Sequence, residues 1–185
     1  MNYDMVNPLI DHIATRHSTA DRPIFAFSSQ WLSIGLRDNQ LPRWYDDMTP
    51  HPATLLLIPL GKPGHWALYA ANCATHTVRY VDSGQKLFRS RKPIPTKPPH
   101  NYTNLLMAWL PQHHPGDWTI THLPRPPRQP NKFDCAPFTV FAADQLARQL
   151  QLDASVRSPN IAAIRAHIAH YLHHYCGWHP DTAPT

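Results

Sequence analysis

The spacing of apolar residues changes along the chain, and the changes divide it into helices and strands. Met5, Val6, Leu9, Ile10 and Ile13 fall on one face of a short amphipathic helix over residues 4–16, interrupted early by Pro8. Pro23 to Phe27 is apolar, and Ser28 or Ser29 is placed to cap a short helix from Gln30 to Leu36. Residues 38–53 are polar and rich in proline and turn residues, as in a loop. The run Leu55-Leu56-Leu57-Ile58-Pro59-Leu60 is continuously apolar and fits a strand covered on both faces. Gly64–Ala70 and His76–Asp82 read as a second and a third strand. Tyr102–Leu110 suits a helix, and Trp118–Leu123 alternates as a strand does. Phe138, Phe141, Ala142, Leu146 and Leu150 follow helical spacing. Ile161, Ile164, Ile168 and Leu172 form the stripe of a C-terminal helix over 158–175, with Ser158 as its cap and Gly177 as its stop. The predicted class is α+β: a small mixed sheet packed against helices, with no internal repeat.

Two stretches bring reactive side chains into this frame. If the second and third strands form an antiparallel hairpin turning near Cys73-Ala74, pairing Asn72 with Thr75 also pairs Ala67 with Tyr80. The same register sets His65 opposite Asp82 on one face, with their Cβ atoms about 5 Å apart. The other stretch is Gln129-Pro130-Asn131-Lys132-Phe133-Asp134-Cys135-Ala136-Pro137-Phe138. The proline-rich run Leu123–Arg128 before it cannot pair as a regular central strand, and a helix follows it. Cys135 therefore sits at or beside a first helical turn, with Asp134 as N-cap. Pro137 is tolerated there because first-turn N–H groups have no partner within the helix. The partial positive charge of a helix N-terminus lowers the pKa of a thiol, and the thiolate is the nucleophilic form.

The order His65-Trp66, then Tyr80-Val81-Asp82-Ser83, then Gln129 through Cys135 resembles the Ulp1/SENP-type cysteine proteases, ubiquitin-like-modifier proteases of the adenain-related clan. The resemblance spans roughly residues 25–150, and Ala136 departs from it where the family usually has glycine. It implies a papain-like or adenain-like core with the nucleophile at a helix N-terminus, and a single catalytic domain over 1–185. Cys135 is then the nucleophile, His65 the acid and base, Asp82 the residue that orients the imidazole, and Gln129 an oxyanion donor beside the Cys135 N–H. The expected substrates are conjugates of ubiquitin, SUMO or NEDD8, cleaved after a C-terminal Gly-Gly. The resemblance also matches Trp31-Leu32 to a pair whose tryptophan, together with Trp66, covers a thin substrate tunnel. The family's acidic residue after that pair is absent, since Ser33-Ile34 stands there. Read from the residues alone, both indoles fit core packing, and strand alternation turns Trp66 away from His65. Two rival functions remain: an acyltransferase of the YopJ type, which uses a related His-acid-Cys arrangement, and a non-enzymatic modifier-binding module.

Composition adds bounds. A length of 185 residues supports one core. Twenty-one prolines against six glycines indicate ordered, extended loops. One of these is the basic stretch Phe88–His100, which carries Arg89, Arg91, Lys92 and Lys97. A formal net charge of +5 attracts acidic proteins, nucleic acids and anionic lipids alike, and no nucleic-acid partner is expected from it. Asp4, Asp11 and His12 interrupt any signal peptide, and no stretch approaches the ~18 apolar residues of a membrane span. Cys73, Cys135 and Cys176 form no disulfide framework. The expectation is a reducing compartment: cytoplasm, nucleus, or the host cytoplasm for a protein injected by a bacterium. The run His173-His174-Tyr175-Cys176-Gly177-Trp178-His179 matches no closed four-ligand zinc pattern. No metal or cofactor is expected.

Overall fold

The computed structural model describes residues 3–38, 41, 53–84, 97–122, 129, 133–150, 152 and 161–175. Along the chain these form α1 (Tyr3–His17), β1 (Ile24–Ala26), α2 (Trp31–Asp38), β2 (Leu55–Lys62), β3 (His65–Asn72) and β4 (Thr77–Val81). They continue with α3 (His100–His113), β5 (Thr119–His122), α4 (Cys135–Ala147) and α5 (Ile161–Tyr175). The strands make one mixed sheet whose spatial order follows the sequence. β1 and β2 run parallel, β2, β3 and β4 form an antiparallel meander, and β5 returns parallel to β4.

β2 and β3 are apolar on both sides because both sheet faces are covered. Leu56, Ile58 and Leu60 join Ala67, Tyr69 and Ala71 in a core closed by Leu32 of α2 and by Leu106 and Leu110 of α3. Leu55, Leu57, Leu68 and Ala70 face the opposite way, onto α1, α4 and α5. The helices supply the expected faces: Val6, Leu9, Ile10 and Ile13 from α1, and Ile164, Ile168 and Leu172 from α5. Two residues, Pro63 and Gly64, turn β2 into β3, and Gly64 takes a φ of +72° that suits its lack of a Cβ. The tight turn places His65 at the very end of the sheet.

Three local expectations need correction. α1 runs through Pro8 without a break. Asn7, just before it, reaches out of the helix, where its Oδ1 accepts the Ser29 N–H at 3.0 Å. The β3–β4 register is also two residues away from the expected one: Asn72 pairs with Thr77 and Leu68 with Val81. The turn is longer because Asn72 Oδ1 accepts the N–H groups of Ala74 and Thr75, at 3.0 and 3.1 Å. His76 then adopts a left-handed φ of 48° before β4 begins. A shift of two keeps every side chain on its face, where a shift of one would have reversed them. Finally, α2 starts at Trp31, with the Gln30 N–H on Ser28 Oγ at 3.3 Å. The Ser158 cap, the Gly177 stop, Cys176, His179, the loop Leu123–Arg128 and most of the basic stretch from Phe88 lie outside the described residues.

Candidate active site

The sheet end exposes one polar pair. His65 opens β3, and Asp82 follows the last residue of β4 on the same face. His65 Nε2–H donates to Asp82 Oδ1 at 2.9 Å. The carboxylate has two more donors, the Tyr80 hydroxyl on Oδ2 at 3.0 Å and the Gly84 N–H on Oδ1 at 2.7 Å. Asp82 is buried, whereas the His65 side chain is 31% exposed. The carboxylate is thus fixed from three sides while the imidazole keeps an open edge. Tyr80 reaches Asp82 because residues two apart in a strand share a face. Burial, with the carboxylate beside it, raises the Tyr80 pKa and keeps the phenol a donor.

Cys135 arrives from the other layer as the first residue of α4. His65 hydrogen-bonds the thiol as well as Asp82. With Nε2 committed to Asp82, Nδ1 is left for the sulfur. The Asp82 and Cys135 hydrogen bonds push the His65 pKa up to about 9, against the opposing effect of burial. Burial, the largest single effect, pushes the Cys135 thiol up, but the His65 hydrogen bond, the backbone N–H groups of Trp66 and Ala136 and the charge of His65 together outweigh it. The net direction is down, while that of His65 is up, and both shifts move the pair toward thiolate and imidazolium. Ala136 occupies the usual glycine position with its methyl buried in the core below α4, and its N–H still serves the sulfur.

Asp134 stands at the N-cap position of α4, as expected, but its side chain makes no capping bond. Its buried carboxylate instead pairs with Arg165 of α5, while its carbonyl accepts the Phe138 N–H at 3.0 Å. A cation 31 residues further on has taken the carboxylate away from the helix end. Gln129 is buried next to the residue after Asp82. Its N–H donates to the Ser83 carbonyl at 3.2 Å, and its Oε1 accepts the Ser83 hydroxyl at 2.9 Å.

The two tryptophans do not share a slot. Trp31 has no exposed surface and packs on Phe27 and Trp109, with ring centroids 4.2 and 5.0 Å away, in the core of the α2–α3 face. Trp66 belongs to the core of the opposite face, with Leu68, Ala70 and Ala136. This corrects the expectation of two indoles closing over one tunnel. Trp66 alternates with His65 and so turns to the α4 face, while α2 carries Trp31 to the other. His65, Asp82 and Cys135 are brought together, and Gln129 is tied to Ser83 beside Asp82. Tyr80, Ser83 and Gly84 are contacts that the sequence reading assigns no role; for Tyr80, strand period two was the available signal.

Among the described residues, no group of three or more His, Cys, Asp or Glu side chains could hold a metal ion. No helix there is long and apolar enough to cross a membrane.

The profile of the Ulp1 protease family, C-terminal catalytic domain, matches residues 3–177. Comparison with curated proteins gives no match. Among solved structures, the chain is similar to the C-terminal Ulp1 protease domain in complex with Smt3, the yeast ortholog of SUMO. That similarity has a TM-score of 0.67 at 21% identity, covering 93% of this chain and 76% of that one. The Chaetomium thermophilum Ulp1-like SUMO protease catalytic domain gives 0.62 at 22% identity, covering 93% and 71%. The Xanthomonas campestris effector XopD bound to ubiquitin gives 0.60 at 15% identity, covering 92% and 90%. At such identities the likeness is one of fold: the same α+β arrangement of mixed sheet and flanking helices.

Proposed function

The chain belongs to the Ulp1 protease family, and from that premise we propose that it is a thiol isopeptidase acting as one catalytic domain over residues 1–185. Its substrates are conjugates of ubiquitin or a ubiquitin-like modifier, cut after the C-terminal Gly-Gly. The observation that carries the reading is the Cys135–His65–Asp82 relay, with His65 Nε2 on Asp82 Oδ1 at 2.9 Å and the thiol hydrogen-bonded to the same ring.

The Cys135 thiolate adds to the scissile carbonyl carbon, and the C=O π electrons move to oxygen. Gln129 Nε2 and the Cys135 N–H donate to that oxyanion. The His65 imidazolium gives its proton to the leaving lysine amine as the C–N bond breaks and the carbonyl reforms. A water, deprotonated by the now neutral His65, adds to the thioester. Collapse expels the Cys135 thiolate beside the imidazolium and frees the modifier as a carboxylic acid, which loses its proton to water. Asp82 holds the ring and stabilises its cationic form throughout.

A preference for Gly-Gly is supported by how enclosed the nucleophile is. Cys135, Trp66 and Gln129 are 5%, 6% and 4% exposed, so a chain bearing side chains has little room to reach the sulfur. Trp66 is the substrate-lining indole in this reading; Trp31 supports the far face of the sheet. Cys73 and Cys135 are free thiols, and a thiolate nucleophile suits a reducing compartment, whether cytoplasm, nucleus or the cytoplasm of an invaded host.

The test is to incubate the protein with ubiquitin, SUMO and NEDD8 carrying a C-terminal electrophile. A covalent adduct located at Cys135, absent in Cys135→Ala, identifies both the class and the modifier. Turnover of acetyl-CoA without any such adduct would replace this reading with an acyltransferase.

A further inference from the structure

Asp82 and Ser83 are adjacent in sequence, and each takes hold of a different part of the site. Asp82 binds His65. Ser83 binds Gln129 twice, through its carbonyl to the Gln129 N–H at 3.2 Å and through its hydroxyl to Gln129 Oε1 at 2.9 Å. Both residues are buried, so water does not compete freely for these bonds.

We propose that Ser83 is a positioning residue: its hydroxyl fixes the Gln129 carboxamide so that Nε2–H2, and not Oε1, faces the developing oxyanion. This rests on Gln129 being the oxyanion donor of the proposed hydrolase. An amide side chain has one donor limb and one acceptor limb on the same carbon. The limb that meets Ser83 decides which limb is left for substrate. With the Ser83 hydroxyl donating to Oε1, the acceptor limb is occupied and the donor limb is turned to the other side. The opposite orientation would set Oε1 lone pairs against a negative oxygen, so the donor would be lost and repulsion would replace it. The ground-state carbonyl bears little charge and is held by the rest of the substrate. Ser83 therefore acts on the transition state and not on substrate affinity. The backbone bond from Gln129 survives removal of the hydroxyl, which confines the effect of Ser83→Ala to the amide.

The test measures hydrolysis of a C-terminal aminocoumarin amide of whichever modifier labels Cys135. Gln129→Ala is expected to lower kcat by ~10²–10³-fold, and Ser83→Ala by about tenfold, each with KM within about twofold. In the Gln129→Ala background, Ser83→Ala should change kcat by less than twofold, because the group it positions is gone. Ser83→Thr, which keeps the hydroxyl, should recover most of the rate. Alkylation of Cys135 by iodoacetamide should be unchanged in Ser83→Ala, since the His65–Asp82 pair is untouched. This readout also reports whether the site is still assembled. The modifier's C-terminal aldehyde, which forms a tetrahedral adduct on Cys135, should bind Ser83→Ala less tightly by a factor near the loss in kcat. Full kcat in Ser83→Ala alongside a large loss in Gln129→Ala would overturn the role of Ser83 alone. Additive losses in the double variant would do the same. Unchanged kcat in Gln129→Ala would remove the oxyanion role and the positioning role together.

Discussion

Replacing Gly84 with alanine asks whether packing, and not hydrogen bonding alone, sets the imidazole position. A Cβ built on Gly84 would lie 2.7 Å from His65 Cε1, 2.9 Å from Asp82 Oδ1 and 3.3 Å from His65 Nε2. The Gly84 φ lies outside the left-handed region, so alanine meets no backbone strain and the steric effect stands alone. Ordinary contact begins at 3.4 Å, and the ring must therefore retreat by ~0.7 Å, directly away from the residue that now shares its face. A misplacement of about 1 Å can cost on the order of 10²-fold in rate. We therefore expect kcat/KM to fall by roughly 30- to 100-fold. Cys135 alkylation at pH 6 should slow as well, because a displaced imidazolium stabilises the thiolate less. Gly84 contributes no side chain to either core, so the melting temperature should stay within a few degrees. If Gly84→Ala keeps kcat/KM within threefold, or slows turnover only by unfolding, then the contact at 2.7 Å does not constrain the ring.

Other expectations follow from the same geometry. The pH–rate profile should rise on the acid side below the ordinary thiol range, because the Cys135 pKa is lowered, and should fall through about 9 as His65 loses its proton. The same shift affects folding. The His65 pKa is raised in the folded protein, so its stabilising contribution is complete below about 6.5 and is lost as pH rises through about 9; urea midpoints at pH 6 and pH 10 check the sign. Asp82→Asn should be milder than His65→Ala, since its Oδ1 can still accept from His65 and Gly84. The basic limb should nevertheless move down, because the Asp82 bond is the largest cause of the raised His65 pKa. A modifier ending in Ala-Ala should lose most of its kcat/KM relative to Gly-Gly; equal cleavage of the two tails would break the link between the enclosed thiol and the substrate class.

How much of this was legible depended on how locally each feature is determined. Period-two alternation was enough to set His65 and Asp82 on one face. The wrong register did no harm there because it differed from the true one by two residues. The turn itself was harder to read. Asn72 folds it through its side chain, and the left-handed residue is His76, which carries none of the glycine signal that usually marks such a position. Asp134 shows the opposite limit. Its position before α4 was evident, but the partner of its carboxylate comes from α5, and no local pattern announces a competitor 31 residues away. For Trp66 the alternation already pointed away from His65, and the structure follows the alternation. The shared lid came from the resemblance and not from the strand. Gln129 could be picked out by its spacing from Cys135, but nothing in that spacing shows that Ser83 holds it.

The polar side chains of the site come from places where regular structure stops: the start of β3, the residues after β4, and the start of α4. Backbone groups there are no longer committed to a ladder or a helix, which is why the Gly84 N–H can serve Asp82 and the N–H groups of Trp66 and Ala136 can serve the sulfur. The sheet and α4 meet through one apolar core that takes in Cys135 itself, so these chain ends are held relative to each other by packing that involves neither His65 nor Asp82. Asp82, Ser83 and Gly84 then divide the remaining positioning. Asp82 holds the ring by charge and hydrogen bond, Gly84 leaves room for it by lacking a Cβ, and Ser83 reaches the amide of Gln129. Because the three are consecutive, a displacement of the chain after Val81 would disturb the His65 ring and the Gln129 amide together. Single substitutions at Gly84 and Ser83 separate the two: both should slow turnover, but only the first should slow alkylation of the thiol.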